Sequence, residues 1–185
     1  YFQQMVKYEI DVTLNDSAHT LSAYESLEYT NNSQDTLEFI WFHLWPNAYK
    51  NDSTAFAKQQ IKSGSRRFID SDEKNRGFID SLDFFVDGIK AKWETHTDWI
   101  DVAKIMLPNH LLPGKSVIIE TPFFIKLPLV FSRLGHSGKH YEITQWYPKP
   151  AVYDHKGWHP MPYLNMGEFS SEFGIFDVKI TLPKN

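Results

Sequence analysis

The chain has 185 residues, a formal net charge of -4 and no cysteine. With Arg66-Arg67 as its only basic dipeptide it lacks the clustered Lys and Arg that a nucleic-acid surface needs, and without cysteine it has no disulfides or thiolate metal sites, in cytosol or periplasm alike. No apolar run approaches the ~20 residues that cross a bilayer, so the sequence reads as soluble and without a transmembrane segment, and its length suits one domain with a continuous core.

Tyr1-Phe2-Gln3 matches the end of a protease-cleavable tag and is set apart, leaving residues 4–185 for the fold. Tyr8, Ile10, Val12 and Leu14 alternate with Glu9, Asp11 and Thr13; Asn15-Asp16-Ser17 supplies a turn; Leu21, Ala23, Leu27 and Tyr29 alternate again, opening a meander. After the polar turn Asn31 to Asp35, the segment Leu37 to Trp45 is apolar on both faces, as in a strand covered on both sides. Thr54 to Ile61 is the one short helix, capped by Ser53 or Thr54, and Ser63 to Arg76 reads as a polar, mobile connection. Further strands are expected over Phe78 to Val86, Ile89 to Trp93, Trp99 to Leu107 and Val117 to Ile125, with turns at Asp87-Gly88 and Leu112 to Lys115. Ile175 to Leu182 is a last strand, stopping three residues before the sequence does, as in an excised domain. Many short strands between turn signals predict an all-β sandwich or open, curved sheet with very little helix.

Candidate chemistry is sparse. His136 and His140, and His155 and His159, are four apart with Asp154 and Glu168 nearby, a zinc-like set of residue types. Gly135, Gly138, Gly157 and Pro160 deny either pair a helix, so loop histidines bonded to backbone are the preferred reading, with no metal site in this chain. The motif His-Glu-x-x-His does not occur, and Ser132 and Ser137 near His136 and His140 lack a nucleophile elbow. The aromatic abundance suits a carbohydrate platform, but Trp41, Trp45 and Trp93 fit better as core and interface residues of sheets.

Tyr141 to Glu168 stands out. Aromatic rings, prolines and polar side chains crowd a segment with few aliphatic residues, and Trp146 and Trp158 sit among Lys149, Asp154, His155, Lys156 and His159. Such a composition reads as a surface loop lining a cleft or contact face.

Five motifs occur in order: Tyr29 to Ser33 (YTNNS), Phe42 to Tyr49 (FHLWPNAY), Phe131 to His136 (FSRLGH), Gln145 to Asp154 (QWYPKPAVYD) with Gly157-Trp158, and Gly167-Glu168-Phe169. Together they resemble the N-terminal domain of aminopeptidase N-like zinc metallopeptidases. The resemblance implies a saddle-shaped all-β domain, non-catalytic, packed on a separate thermolysin-like catalytic domain that is absent from this chain and holds the zinc. No catalytic residue is then expected here. In the family a loop with the pattern Ser/Thr-Gln-x-Gln/Glu helps hold the peptide's amino end. The matching positions are Thr144-Gln145-Trp146-Tyr147, making Gln145, Tyr147 and Trp146 the expected substrate-binding residues. Tyr147 departs from the pattern, and Ala151 to Asp154 replaces the usual Pro-Cys-x-Asp. The resemblance implies a peptide substrate and the chain's own catalytic domain as partners, and a secreted or periplasmic protein. A stand-alone β-sandwich binding glycan or protein, or a scaffold whose catalytic motif has decayed, are the alternatives.

Overall fold

A computed structural model describes residues 2–167 and 169–184. Tyr1, Asn185 and Glu168, the last counted above among the metal-site residue types and in the final motif, lie outside the described residues.

The chain is all-β. Strand β1 (Met5–Asn15) alternates buried Val6, Tyr8, Ile10 and Val12 with exposed Lys7, Glu9, Asp11 and Thr13, the period of two read from the sequence. Asn15 Oδ1 closes the following turn by accepting from Ser17 N (3.1 Å) and Ala18 N (3.0 Å). Strand β2 (Thr20–Thr30) then returns antiparallel. The meander ends there, because β3 (Leu37–His43) joins a second sheet.

The remaining strands are β4 (Phe78–Asp80), β5 (Phe85–Val86), β6 (Ile89–Lys90), β7 (Trp93–Thr95), β8 (Val102–Leu111), β9 (Ser116–Lys126), β10 (Leu134–Ser137), β11 (His140–Ile143), β12 (Lys149–Pro150), β13 (Val152–Asp154), β14 (Gly157–His159) and β15 (Gly174–Thr181). The larger sheet runs β15-β1-β2-β9-β5-β6, with β4 also on β9; the smaller runs β12-β3-β8-β7; β10-β11 and β13-β14 are separate hairpins. Among the described strand pairs, β15 with β1 is the parallel one. Buried residues of both sheets form one apolar cluster, from Val6, Tyr8 and Leu27 to Ile40, Phe42 and Ile105. Helix α1 (Ala55–Lys62) buries Phe56 and Ala57, and Thr54 is its cap: Oγ1 accepts from Ala57 N at 3.2 Å.

The sheets are tied by a buried amide in the first motif. Asn31 Nδ2 donates to Asp35 O (2.8 Å) and Leu111 O (3.1 Å), while its Oδ1 accepts from Ser33 Oγ (2.6 Å) and Ser33 N (3.1 Å). Its backbone N donates to Lys115 O (2.9 Å), and its carbonyl accepts from Gly114 N (2.7 Å). Gln3, read as tag, takes part, since its carbonyl accepts from Asn32 Nδ2 at 2.9 Å.

Four expectations are corrected. Phe78 to Val86 is not one strand: Ser81 takes φ = 58°, Asp83 N donates to Thr121 Oγ1 at 3.0 Å, and Phe84 turns into the core against Phe42 and Trp93. Ile89 to Trp93 splits because the chain changes sheets around buried Ala91. The Trp99 strand begins only at Val102, since Trp99 and Ile100 belong to a turn in which Trp99 stacks on His96 at 4.4 Å. Ser63 to Arg76 is pinned: Phe68 is buried, and the Arg76 guanidinium lies 4.9 Å from its ring while pairing with Asp52 Oδ1 at 2.7 Å.

Gly77 follows Arg76 where two backbones touch. A Cβ there would lie 2.5 Å from Lys126 O and 2.5 Å from Pro128 Cδ, atoms that cannot yield without moving backbone. Gly77→Ala is expected to cost about 1 to 3 kcal/mol in urea unfolding at unchanged m-value.

Candidate functional site

The second motif builds the floor of the site. His43 ends β3, and its Nε2 accepts from Met161 N at 3.2 Å, so the ring is neutral with its proton on Nδ1. Burial, then the nearby Lys149 charge, holds this histidine at about 3, far below its ordinary value. Leu44 N donates to Asp101 O at 2.8 Å, and Trp45 Nε1 donates to Met161 O at 3.0 Å. Asn47 bridges two segments: Nδ2 donates to Ile100 O (3.2 Å) and Oδ1 accepts from Ile79 N (3.1 Å). The buried Asp101 carboxylate accepts from Tyr163 N at 2.7 Å, and burial still pushes it up to about 6.

Over this floor runs the segment from Tyr141. It is not a plain loop, because β11 to β14 fall within it. Strand β12 is short because Pro148 and Pro150 flank Lys149, and it is anchored to β3 through Lys149↔His43 and Pro150↔Phe42. Ala151 N adds a bond to Trp41 O at 2.8 Å. Trp146 and Trp158 are half-buried, as are Trp41 and Trp93, while Trp45 is fully buried.

The structure brings Gln145, Trp146 and Tyr147 together just before β12. Gln145 has φ = 56°, a left-handed conformation uncommon outside Gly, Asn and Asp. Its Oε1 accepts from Lys149 Nζ. With Lys149 as the donor, the amide oxygen turns toward it and the NH₂ away from it. Trp146 packs near Phe123 (5.9 Å between centroids) and lines an apolar pocket of about 140 Å³ with Val12, Leu14, Ile143, Ile180 and Leu182. Tyr147 meets Tyr8 edge-on at 5.3 Å and Phe176 at 5.8 Å. Burial, then the charge of Glu25, pushes its phenol up to about 12, so it stays neutral at ordinary pH.

Two buried ionisable groups beneath these residues were not singled out from the sequence. Lys149, 3% exposed, points its Nζ at the face of Trp45, 3.9 Å from the ring centroid, and no carboxylate among the described residues reaches it. Burial lowers its ammonium to about 7. Glu25 sits on β2 facing the core; burial raises it well above the carboxylate range, and its Oε2 has no hydrogen-bond partner among the described residues. A Lys between two prolines and a Glu in an alternating strand were the available signals. Each falls on a core-facing position of its strand.

The histidines do not converge. His136 stacks on His19 at 3.6 Å, with Nδ1 3.3 Å from Gly138 O; His159 Nε2 meets Asp154 Oδ1 at 2.7 Å, a carboxylate rather than the expected backbone; His140 and His155 are exposed. Among the described residues no group of three or more His, Cys, Asp or Glu is placed to hold a metal. Ser132 bonds Tyr163 Oη (2.9 Å) and Asn165 Oδ1 (2.6 Å), not His136. The arrangement can bind and orient; among the described residues no base is aimed at Ser132. No helix among the described residues is long and apolar enough to cross a membrane.

No family model and no curated protein matches the sequence. Among solved structures, a point mutant of a two-domain M1 zinc metallopeptidase bound to L-arginine superposes with a TM-score of 0.52 at 14% identity, covering 98% of this chain and 33% of that one. The same protein type bound to L-tryptophan gives 0.52 at 14%, covering 99% and 34%. An M1 zinc metallopeptidase mutant from Deinococcus radiodurans bound to a Tyr-Ser-Ala substrate gives 0.52 at 14%, covering 98% and 33%. At this identity the likeness shows the fold, and the chain spans about a third of the length of these structures.

Lys149 makes stability depend on pH. Its folded value of about 7 lies below the ordinary 10.5, so between the two the unfolded chain holds a proton that the folded chain lacks. Stability therefore rises with pH from about 7 toward 10.5, and below about 7 the burial penalty is complete. Lys149→Met should remove this slope: in urea titrations at pH 7, 8 and 9 the wild type gains on the variant by up to about 1.4 kcal/mol per unit. Parallel pH profiles would mean that Lys149 stays charged in the fold.

Proposed function

We propose that this chain is the non-catalytic, N-terminal β-domain of an M1-like zinc metallopeptidase, walling a peptide cleft whose zinc and general base belong to a separate catalytic domain. The fold likeness to M1 zinc metallopeptidases supports the domain assignment, and one of those structures holds a tripeptide. The observation that carries the role is the locked Gln145: a left-handed backbone, an inward amide oxygen on Lys149, and an outward NH₂.

In this reading Gln145 holds the peptide's amino-terminal residue at two points. Its NH₂ donates to the first carbonyl, and the second lone pair of Oε1 accepts from the ammonium. Tyr147 offers one neutral hydroxyl and Trp146 an apolar wall. The domain then lowers the barrier by positioning the scissile bond against a zinc-activated water held elsewhere. The family resemblance extends the proposal to a secreted or periplasmic protein.

The test is Gln145→Ala in the full-length enzyme. Losing the amide should remove about 1 to 3 kcal/mol of transition-state binding, a fall of roughly 5- to 150-fold in kcat/KM for peptides with a free amino end. The loss should shrink for blocked peptides, and Tyr147→Phe should show a milder version. Unchanged kcat/KM, or equal losses on free and blocked peptides, would refute the amino-end reading.

A further inference from the structure

Gln145 offers an amide whose two ends do opposite chemistry: an outward NH₂ donates to a carbonyl, and an outward oxygen accepts from an ammonium. The backbone fixes where the side chain starts, through φ = 56° and the β12 anchor on β3, but it does not choose between an oxygen and a nitrogen of nearly equal size. That choice falls to whatever the amide meets beneath it. Among the described residues its side-chain partner is Lys149 Nζ.

The surroundings of that nitrogen leave its charge weakly held. Lys149 is buried, with Nζ 3.9 Å from the Trp45 ring centroid. The ionisable groups near it are neutral. His43, its register partner on β3, is kept from protonation by burial and gives its Nε2 to Met161 N. Tyr147, whose ring centroid is 6.0 Å from Nζ, keeps its phenolic proton, and Glu25, which acts on Tyr147 rather than on Lys149, is driven by burial to keep its own. No carboxylate among the described residues lies within 4 Å of Nζ. A carboxylate would hold the ammonium across the whole pH range; an amide and an indole face hold it less firmly, and burial lowers it to about 7.

The two states of that amine make different demands on the amide. With its proton, Nζ has N–H groups and no lone pair, so it bonds the oxygen and repels the NH₂. Without it, Nζ carries a lone pair beside its remaining N–H groups, and it takes an N–H from the amide as well as it gives one to the oxygen. The charge-assisted bond, roughly twice as strong as a neutral one, is then gone. A partner that locked the amide becomes indifferent to its orientation.

We propose that Lys149 is a positioning residue that decides which end of the Gln145 amide faces outward: protonated, it holds the oxygen in and the NH₂ out, and deprotonated, it lets the amide turn over. Buried as it is, Lys149 acts through Gln145 and not on a peptide. The consequence for binding rests on Gln145 holding the peptide's amino-terminal residue, as proposed above. A turned amide withdraws its donor from the first carbonyl, so binding weakens as pH rises through the range in which Lys149 loses its proton.

Neutron diffraction from deuterated crystals of the 185-residue chain reads both halves of the proposal, because deuterons report the charge on Nζ and nitrogen scatters differently from oxygen. At about pH 5 Nζ should carry a full ammonium with the amide oxygen turned to it, and at about pH 9 a neutral amine with the ND₂ turned inward in about half of the molecules. An ammonium at both pH values, or an oxygen turned fully inward at both, overturns the proposal. In the full-length enzyme at about pH 6, Lys149→Met should lower kcat/KM for free-amino peptides about three- to tenfold, and should do nothing further once Gln145 is already replaced by Ala. Equal losses in both backgrounds would overturn the positioning role. Met fills the space of the buried Lys chain, so the variant is expected to fold at wild-type stability or above. Should Gln145→Ala leave kcat/KM unchanged, the peptide reading fails and the diffraction result alone decides what orients the amide.

Discussion

The buried Asn31 amide is the constraint on which the two-sheet arrangement depends. A strand that leaves one sheet for another strands its backbone groups where neither ladder reaches, and each unpaired group in an apolar interior costs about 1 to 3 kcal/mol. Asn31 sits at that departure, between β2 and β3, and its side chain caps both the local turn and the far end of β8. No smaller polar side chain supplies two donors and an acceptor in one rigid plane. That geometry explains why this motif holds Asn flanked by small polar residues.

A second constraint is electrostatic. Beneath the Gln145 loop the fold removes charge: His43 is neutral through its bond from Met161, Lys149 is drawn toward neutrality over Trp45, and Glu25 is driven to keep its proton. A low-dielectric floor strengthens the few polar contacts that remain, so the Lys149–Gln145 bond holds the amide more firmly than a surface contact would. Backbone strain at Gln145 persists because the β12 anchor on β3, two prolines and this bond over-determine it.

Local pattern was legible, and long-range placement was not. Alternation marked β1 and β2, the turn at Leu112 to Lys115 marked the start of β9, and Ser53 or Thr54 was readable as a cap, because those signals lie within a few residues. The break at Ser81 was hidden, since a run of apolar residues fits a strand whether or not Phe84 turns inward. The Ser63 to Arg76 stretch misled for a related reason: its polarity suggested mobility, while one Phe and one Arg anchor it. Gln145, Trp146 and Tyr147 were named from motif resemblance alone. The role of Lys149 beneath them needs the β12–β3 pairing, which sequence spacing does not reveal.

The parallel contact between β1 and β15 bears on how the molecule is made. The Lys179–Asp11 pair joins positions 168 residues apart, while β1 and β2 are joined by a short turn. During synthesis the first hairpin therefore emerges well before β15, with the outer edge of β1 open until residues 174–181 follow. Closing so long a loop is entropically costly and slow, and an open apolar edge invites mispairing in the interval. Strand β15 thus acts as a latch: the large sheet cannot close along β1 until residues 174–181 are in place, however early the first hairpin forms.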